Sequence, residues 1–173
     1  MAEPSPRAQL SSFISKFSPA IAAEARAVLA ELRTRLPGAT ELVYDNYNAL
    51  AIGFGATERM GDLILSVAIY PRWVSLFFFH PGGLPDPEGL LRGTGTMVRH
   101  LVLESAADLD RPAVRTLVRR AVAAADVPLD ATQPRRLVIK SVSARQRARR
   151  TAPLARDGAS KGRNAPAAVR RSR

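Results

Sequence analysis

A run of five hydrogen-bonding side chains interrupts the apolar sequence of residues 41–50, ELVYDNYNAL. The run consists of Tyr44, Asp45, Asn46, Tyr47 and Asn48. Aspartate and asparagine favour turns because their side chains bond the neighbouring backbone. A turn does not require the two tyrosines, whose rings and hydroxyl groups would suit one wall of a binding site. The run therefore predicts either a plain turn, which accounts for most of its residues, or part of a ligand site.

Two other short segments carry side chains that suit the same site. Pro71-Arg72 separates two apolar runs, and RGTGTMVRH (92–100) combines small residues with two basic ones. The small residues of this segment fit either a tight turn or a nest of backbone N–H groups that binds an anion. We expect the three segments to converge at one edge of a sheet. The predicted ligand-binding residues are Tyr44, Asn46, Tyr47, Asn48, Arg72, Arg99 and His100.

The sequence offers few residues for catalysis or metal binding. It has two histidines, His80 and His100, no cysteine, and neither an HExxH spacing nor a GxSxG elbow. A metal site usually needs three or four ligands, and a nucleophile needs an adjacent base. Gly53 and Gly55 match no nucleotide-binding fingerprint and indicate a bend or bulge in a strand. We therefore predict no catalytic residue, no metal site and no cofactor, and no motif supports an enzyme.

The positive charge of the chain is concentrated near its C-terminal end. The formal net charge is +11, and residues 144–173 hold ten basic residues and one acidic residue, Asp157. The same segment contains one leucine, one valine and no aromatic residue, which is too little apolar surface to offset the entropy lost on ordering. We predict a nearly neutral folded domain over residues 1–143 and a basic disordered tail over residues 144–173. Such a tail would bind nucleic acid weakly and without sequence preference.

Apolar periodicity predicts the elements that position these residues. Apolar side chains recur every three or four positions in three segments, which predicts helices over 8–17, 19–36 and 112–125. Strand composition appears in six segments, 41–44, 47–54, 63–70, 73–80, 97–104 and 135–143. Only two residues separate 63–70 from the following strand, so that pair must be antiparallel. The predicted class is α+β, with an antiparallel sheet of about five strands packed against N-terminal and C-terminal helices.

The order of these elements resembles the YdhG-like family, a domain of unknown function. The resemblance spans roughly residues 10–125 and rests on ELVYDNYNALAIGF, ILSVAIYPRWVSLFF, LLRGTGTMVRHLVLES and the helix that follows DLDRPAV. It implies an α+β fold, and some family members are described as frataxin-like iron chaperones, which is a non-enzymatic role. The segment VYDNYNAL lacks the Met-Pro of the family's turn, and an iron-donating surface needs clustered oxygen ligands. The iron role is therefore not carried over to this chain.

The N-terminal residues do not combine a basic start with a long apolar run, as a secretory signal would. The apolar runs of the chain are shorter than the roughly 20 residues that span a bilayer. We therefore expect a cytoplasmic protein without membrane contact. The main functional hypothesis is a non-catalytic domain that binds a small ligand, a metal or a protein partner. The alternative is a nucleic-acid-associated protein that acts through its basic tail.

Overall fold

The computed structural model describes residues 2–151, which form three α-helices and a six-stranded sheet. The helices are α1 (Pro6–Ser15), α2 (Pro19–Arg35) and α3 (Pro112–Ala123). The strands are β1 (Thr40–Asp45), β2 (Leu50–Gly55), β3 (Leu63–Ile69), β4 (Val74–Phe79), β5 (Val98–Leu103) and β6 (Arg136–Val142). Short 3₁₀ helices lie in the connections at Met60–Asp62, Pro81–Gly83 and Ala106–Asp110.

The strands form one sheet in the order β5-β4-β3-β2-β1-β6. Neighbouring strands from β1 to β5 pair antiparallel, as the short connections between β1, β2, β3 and β4 require. The predicted α+β class and mainly antiparallel sheet are confirmed. The sixth strand differs from that pattern because β6 lies parallel to the outer edge of β1, with Thr40 opposite Arg136. The long connection through α3 makes a parallel pairing possible.

Both N-terminal helices begin at a serine followed by proline. The Ser5 hydroxyl accepts a hydrogen bond from the Ala8 N–H at 3.3 Å, and the Ser18 hydroxyl accepts one from the Ile21 N–H at 3.4 Å. Proline suits the first helical position because its missing N–H would have no partner there. These caps place the bend between α1 and α2 at residues 16–18, beside the end of β1.

All three helices pack on the same face of the sheet. Register partners on this face are Val43, Ile52, Val67, Leu76 and Leu101. They form one buried cluster with the apolar sides of the helices. The opposite face carries the alternate row Tyr44, Ala51, Ala68, Ser75 and Val102. We call this second surface the open face, because none of the helices within residues 2–151 packs against it.

Two glycines shape the end of the β2–β3 hairpin. The register of the two strands shifts between Phe54 and Gly55, which is the bulge that the sequence indicates. A Cβ atom at Gly55 would lie 2.6 Å from the backbone oxygen of Asp62, and one at Gly53 would lie 2.7 Å from the Leu63 side chain. A larger residue at Gly55 would push the hairpin apart, whereas one at Gly53 would require the Leu63 side chain to shift.

The packed chain continues beyond the boundary that the sequence predicts. We expected disorder from residue 144, but residues 144–151 contact the domain, and Arg149 is buried. Composition missed this segment because it is held by hydrogen bonds and ion pairs and not by apolar burial. Residues 152–173 of the predicted tail lie outside the described residues. Within residues 2–151, no helix has both the length and the hydropathy needed to cross a membrane.

Candidate functional site

The seven predicted site residues do not form one site. The β1–β2 turn, with Asn46, Tyr47 and Asn48, and the β3–β4 turn, with Arg72, lie at the same end of the sheet because Leu50 pairs with Ile69. Arg99 and His100 lie on the edge strand β5, four strands from β1. Strands are spaced about 4.8 Å apart, so roughly 19 Å separates β5 from β1.

The two faces of the sheet separate these residues further. Tyr44 and His100 both belong to the open face, whereas Arg99 is the register partner of Phe78 on the helix-covered face. The His100 ring stacks on Phe77, with ring centroids 4.9 Å apart. The Tyr44 hydroxyl is buried without a hydrogen-bond partner among residues 2–151, and burial raises its pKa. A role of Tyr44, Arg99 and His100 in ligand binding remains a prediction.

The YDNYN stretch forms a hairpin turn that holds the C-terminal segment. The Asn46 N–H donates to the Ala49 carbonyl at 3.0 Å and closes the turn. The Tyr47 carbonyl accepts a hydrogen bond from the Arg147 N–H at 2.9 Å, and the Asp45 carbonyl accepts one from the Ser143 N–H at 2.8 Å. The turn interpretation is therefore confirmed. The backbone carbonyls of the turn accept hydrogen bonds from residues that follow β6.

Asp45 forms the centre of this attachment. Its carboxylate is 1% exposed and accepts hydrogen bonds from Arg149 at 2.8 Å and from Lys16 at 3.0 Å. Arg149 is 3% exposed, and it also donates to the carbonyls of Asn46 and Tyr47. Its guanidinium lies 5.5 Å from the centre of the Phe17 ring, within the range of a cation–π contact. This cluster locks the C-terminal segment to β1 and to the bend between α1 and α2.

A separate cleft of about 260 Å³ opens between α1, α2 and the β1–β6 side of the sheet. Four arginines and four aliphatic side chains dominate its walls, so it combines positive charge with an apolar surface. We call it the arginine cleft, and its walls are Arg7, Leu10, Ser11, Ile14, Arg26, Leu29, Arg33, Glu41, Arg135 and Leu137.

The arginine cleft contains one buried carboxylate, which an arginine of α2 neutralises. Glu41 is 1% exposed, and both of its oxygens accept hydrogen bonds from Arg33, at 2.8 and 2.7 Å. This hydrogen bonding raises the pKa of Arg33 above its ordinary value. Arg135 lies 3.9 Å from Glu41 and is partly exposed. Among residues 2–151, no acidic group lies within 4 Å of Arg7 or Arg26, so the cleft keeps an excess of positive charge.

Sequence reasoning did not identify this cleft. Arg26, Leu29 and Arg33 are spaced three and four residues apart, which places them along one side of the helix. That spacing was visible in the sequence, but the position of α1 against that side was not. The cleft offers no alternative metal ligands: among residues 2–151, no three His, Asp or Glu side chains form a group that could hold a metal ion.

Comparison with models of protein families, with curated proteins and with solved structures found no match to this chain. The resemblance to the YdhG-like family therefore remains a prediction from the sequence. The nucleic-acid hypothesis also remains untested, because most of the basic tail lies outside the described residues. Two of its basic residues, Arg149 and Arg150, are used to attach the chain to the domain.

Proposed function

We propose that this chain is a non-catalytic binding domain whose arginine cleft takes a small organic anion with an apolar body. The ligand class is a carboxylate or a phosphate monoester. The observation that carries the proposal is a single cleft that combines aliphatic walls with four arginines, of which Arg7 and Arg26 have no acidic partner among residues 2–151. A cytoplasmic location is part of the proposal, and the lack of cysteine favours it.

The charge of the cleft favours an anionic group. Glu41 would repel an anion, but the two hydrogen bonds from Arg33 neutralise its charge. Arg7, Arg26 and Arg135 then provide the remaining positive charge around the opening. Guanidinium groups bind carboxylates and phosphates well because their N–H groups match the geometry of two acceptor oxygens.

The remaining walls favour an apolar ligand body of limited size. Leu10, Ile14, Leu29 and Leu137 line the cleft beside the arginines. Ligand pockets are commonly lined by apolar side chains with a few polar groups that orient the ligand. The volume of about 260 Å³ lies slightly below the usual range for ligand pockets, so a small metabolite fits better than a nucleotide or a peptide.

The chemistry of the lining favours binding over catalysis. Its titratable groups are four arginines, which stay protonated, and Glu41, which is held by Arg33. Ser11 is the one hydroxyl in the lining, and no histidine accompanies it there as a base. A bound anion would therefore be held without a group that is placed to transfer a proton.

Thermal shift and titration calorimetry with hexanoate and phenyl phosphate test the proposal. Hexanamide and phenol are the matched neutral probes, and inorganic phosphate tests the charge alone. We expect the two organic anions to raise the Tm, with smaller effects from the other probes. Loss of one arginine that bonds the anion should weaken binding roughly 10- to 100-fold, since such hydrogen bonds contribute about 1.5–3 kcal/mol.

Two variants separate the arginine cleft from the site predicted by sequence. R26M/R135M removes two cleft arginines, whereas R72M removes an exposed arginine in the β3–β4 turn. We expect the first to abolish the response to hexanoate and phenyl phosphate and the second to leave it unchanged. Equal responses to charged and neutral probes, or full binding by R26M/R135M, would overturn the proposal.

A further inference from the structure

We propose that one end of the sheet binds single-stranded nucleic acid, with bases stacked on Tyr47 and Trp73 and phosphates bound by three arginines. This end carries the β1–β2 turn, the β3–β4 turn and the segment that follows β6, and we call it the turn surface. The arginines are Arg72, Arg145 and Arg147. The turn surface shares no residue with the walls of the arginine cleft, so this inference is independent of the proposed anion site.

The turn surface presents two exposed aromatic side chains. Tyr47 is 53% exposed in the β1–β2 turn, and Trp73 is 42% exposed directly before β4. Tyr70 stacks on one face of the Trp73 indole, with ring centroids 4.9 Å apart, so a further ring would stack on the opposite face. Aromatic rings on which bases stack are a common feature of proteins that bind single strands without sequence preference.

The strand register places the two rings at a distance that suits a short stretch of single strand. Leu50 pairs with Ile69, and Ile69 pairs with Val74, so the two turns lie at the same end of the sheet. Tyr47 lies between β1 and β2, whereas Trp73 leads into β4. Two to three strand spacings correspond to roughly 10–14 Å. A stacked strand rises about 3.4 Å per nucleotide, so the rings are about three to four nucleotides apart.

The fold adds basic side chains beside these rings. The Arg147 N–H donates to the Tyr47 carbonyl at 2.9 Å, which holds the C-terminal segment against the β1–β2 turn. Arg145 and Arg147 are exposed in this segment, and Arg72 is exposed in the β3–β4 turn. Among residues 2–151, no acidic group lies within 4 Å of these three arginines. A positive surface that follows the backbone beside the stacked bases is the usual arrangement in single-strand binding proteins.

The acidic residues near the turn surface leave this positive charge in place. Asp45 is buried, and its carboxylate is bonded by Arg149 and Lys16. Glu104 follows β5, which pairs with the side of β4 that faces away from β1 and β2, so it lies on the far side from Tyr47. The turn surface therefore keeps an excess of positive charge next to its aromatic rings.

The chemistry of the turn surface favours a single strand over a duplex or a bilayer. A duplex keeps its bases stacked inside, where the aromatic rings do not reach them. An anionic bilayer also attracts aromatic and basic side chains, but an apolar face must enter its acyl region. Tyr47 is instead flanked by the exposed amides of Asn46 and Asn48. Amides donate and accept hydrogen bonds, which suits the edges of unpaired bases.

Titration of the full chain with a labelled oligothymidylate of about 12 nucleotides tests the proposal, because this length lies within the usual site sizes. Trp73 is the one tryptophan in the chain, and a base stacked on an indole quenches its emission. We expect the single strand to quench Trp73 and a duplex of the same length to leave its emission unchanged. Binding through the basic tail alone would raise the anisotropy of the label without quenching, and that result would overturn the proposal.

Three variants test whether stacking holds the bases. W73F keeps an aromatic ring, W73L keeps apolar bulk without one, and M97A removes a side chain that is 58% exposed at the opposite end of the sheet. We expect W73L to bind the oligothymidylate roughly 5- to 150-fold more weakly than the parent, since stacking is the term that it removes. W73F and M97A should bind like the parent. Equal affinities of W73F and W73L would overturn the proposal, and if W73L fails to fold, the quenching in the unchanged chain decides.

Two double variants test the phosphate contacts. R145M/R147M should lower the slope of log K against log salt concentration by about 1.4, because each phosphate contact to a single strand contributes about 0.7. R26M/R135M removes the same amount of charge from the arginine cleft and should bind the oligothymidylate like the parent. Equal effects of the two variants would show that net charge alone binds the strand. A shift of Trp73 emission by phosphatidylserine vesicles, without quenching by oligothymidylate, would assign the turn surface to membranes and overturn the proposal.

Discussion

Replacement of Arg149 by methionine should destabilise the fold far more than an arginine near a chain end usually does. The variant leaves the Asp45 carboxylate buried without its closest partner, since the two groups lie 2.8 Å apart and both are almost fully buried. Removing one member of a buried ion pair costs about 3–5 kcal/mol. Lys16 still contacts the other carboxylate oxygen at 3.0 Å. We therefore expect the free energy of unfolding to fall by about 3 kcal/mol, the lower end of this range.

Urea unfolding followed by circular dichroism measures this loss. With an m value of about 2 kcal/mol/M, the midpoint should fall by about 1.5 M. The Tm should fall by about 6–12 °C for a domain of this size. The matched control is R147M, because the Arg147 side chain is exposed and donates no side-chain hydrogen bond within residues 2–151. The free energy of unfolding of R147M should lie within about 0.5 kcal/mol of that of the parent.

A double-mutant cycle tests the cause of the loss. D45N/R149M removes both charges, so it should be less destabilised than the sum of the single variants by about 1–3 kcal/mol. The reasoning fails if R149M unfolds at the same urea concentration as the parent. It also fails if the double variant loses as much free energy of unfolding as the two single variants together, because the loss would then come from something other than the ion pair.

Three further predictions concern other parts of the domain. G38A should lower the free energy of unfolding by about 3 kcal/mol or more, because Gly38 has φ +78° and an added Cβ would lie 1.8 Å from the Asp130 backbone oxygen. The control is G89A, since Gly89 has φ +62° but open space around it. G89A should lower the free energy of unfolding by only about 1 kcal/mol in the same urea assay. Burial and then the nearby Asp108 carboxylate raise the pKa of Glu24 above its ordinary value of 4.5. The stability linked to its protonation is therefore present at low pH and is lost as the pH rises through the folded-state pKa. E24Q should thus have a higher Tm than the parent at pH 7, with a difference that shrinks towards pH 4, and a difference that does not vary with pH would contradict this cause. Deletion of residues 152–173 should leave the urea midpoint unchanged while it removes retention on immobilised duplex DNA at low salt; retention that survives the deletion would end the tail hypothesis.

The sequence predicted the features that depend on neighbouring residues. The antiparallel β3–β4 hairpin, the turn at YDNYN and the bulge at Gly55 all follow from local chemistry. The helices and most strands were likewise predictable, because their apolar periodicity extends over several turns or residue pairs.

The features that sequence reasoning missed depend on residues far apart in the chain. Asp45 and Arg149 are separated by 104 positions, and no local pattern pairs one buried aspartate with one arginine in a basic run. The parallel pairing of β6 with β1 likewise joins residues that are far apart in the chain, such as Thr40 and Arg136. Arg99 and His100 were expected near the β3–β4 turn, but β5 pairs antiparallel with β4, so its first residues lie at the opposite end of the sheet.

The position of β6 also determines when the fold can be completed during synthesis. β1 is made early, whereas its outer neighbour begins about 90 residues later. At roughly 5–20 residues per second, the outer edge of β1 waits on the order of 5–20 s for that neighbour. During this interval its backbone groups are free to pair with other strands, as at any exposed sheet edge. A chain that stops before residue 136 would leave the outer edge of β1 permanently unpaired. It would also leave Asp45 without Arg149. Such a fragment would be a natural target for chaperones and proteases.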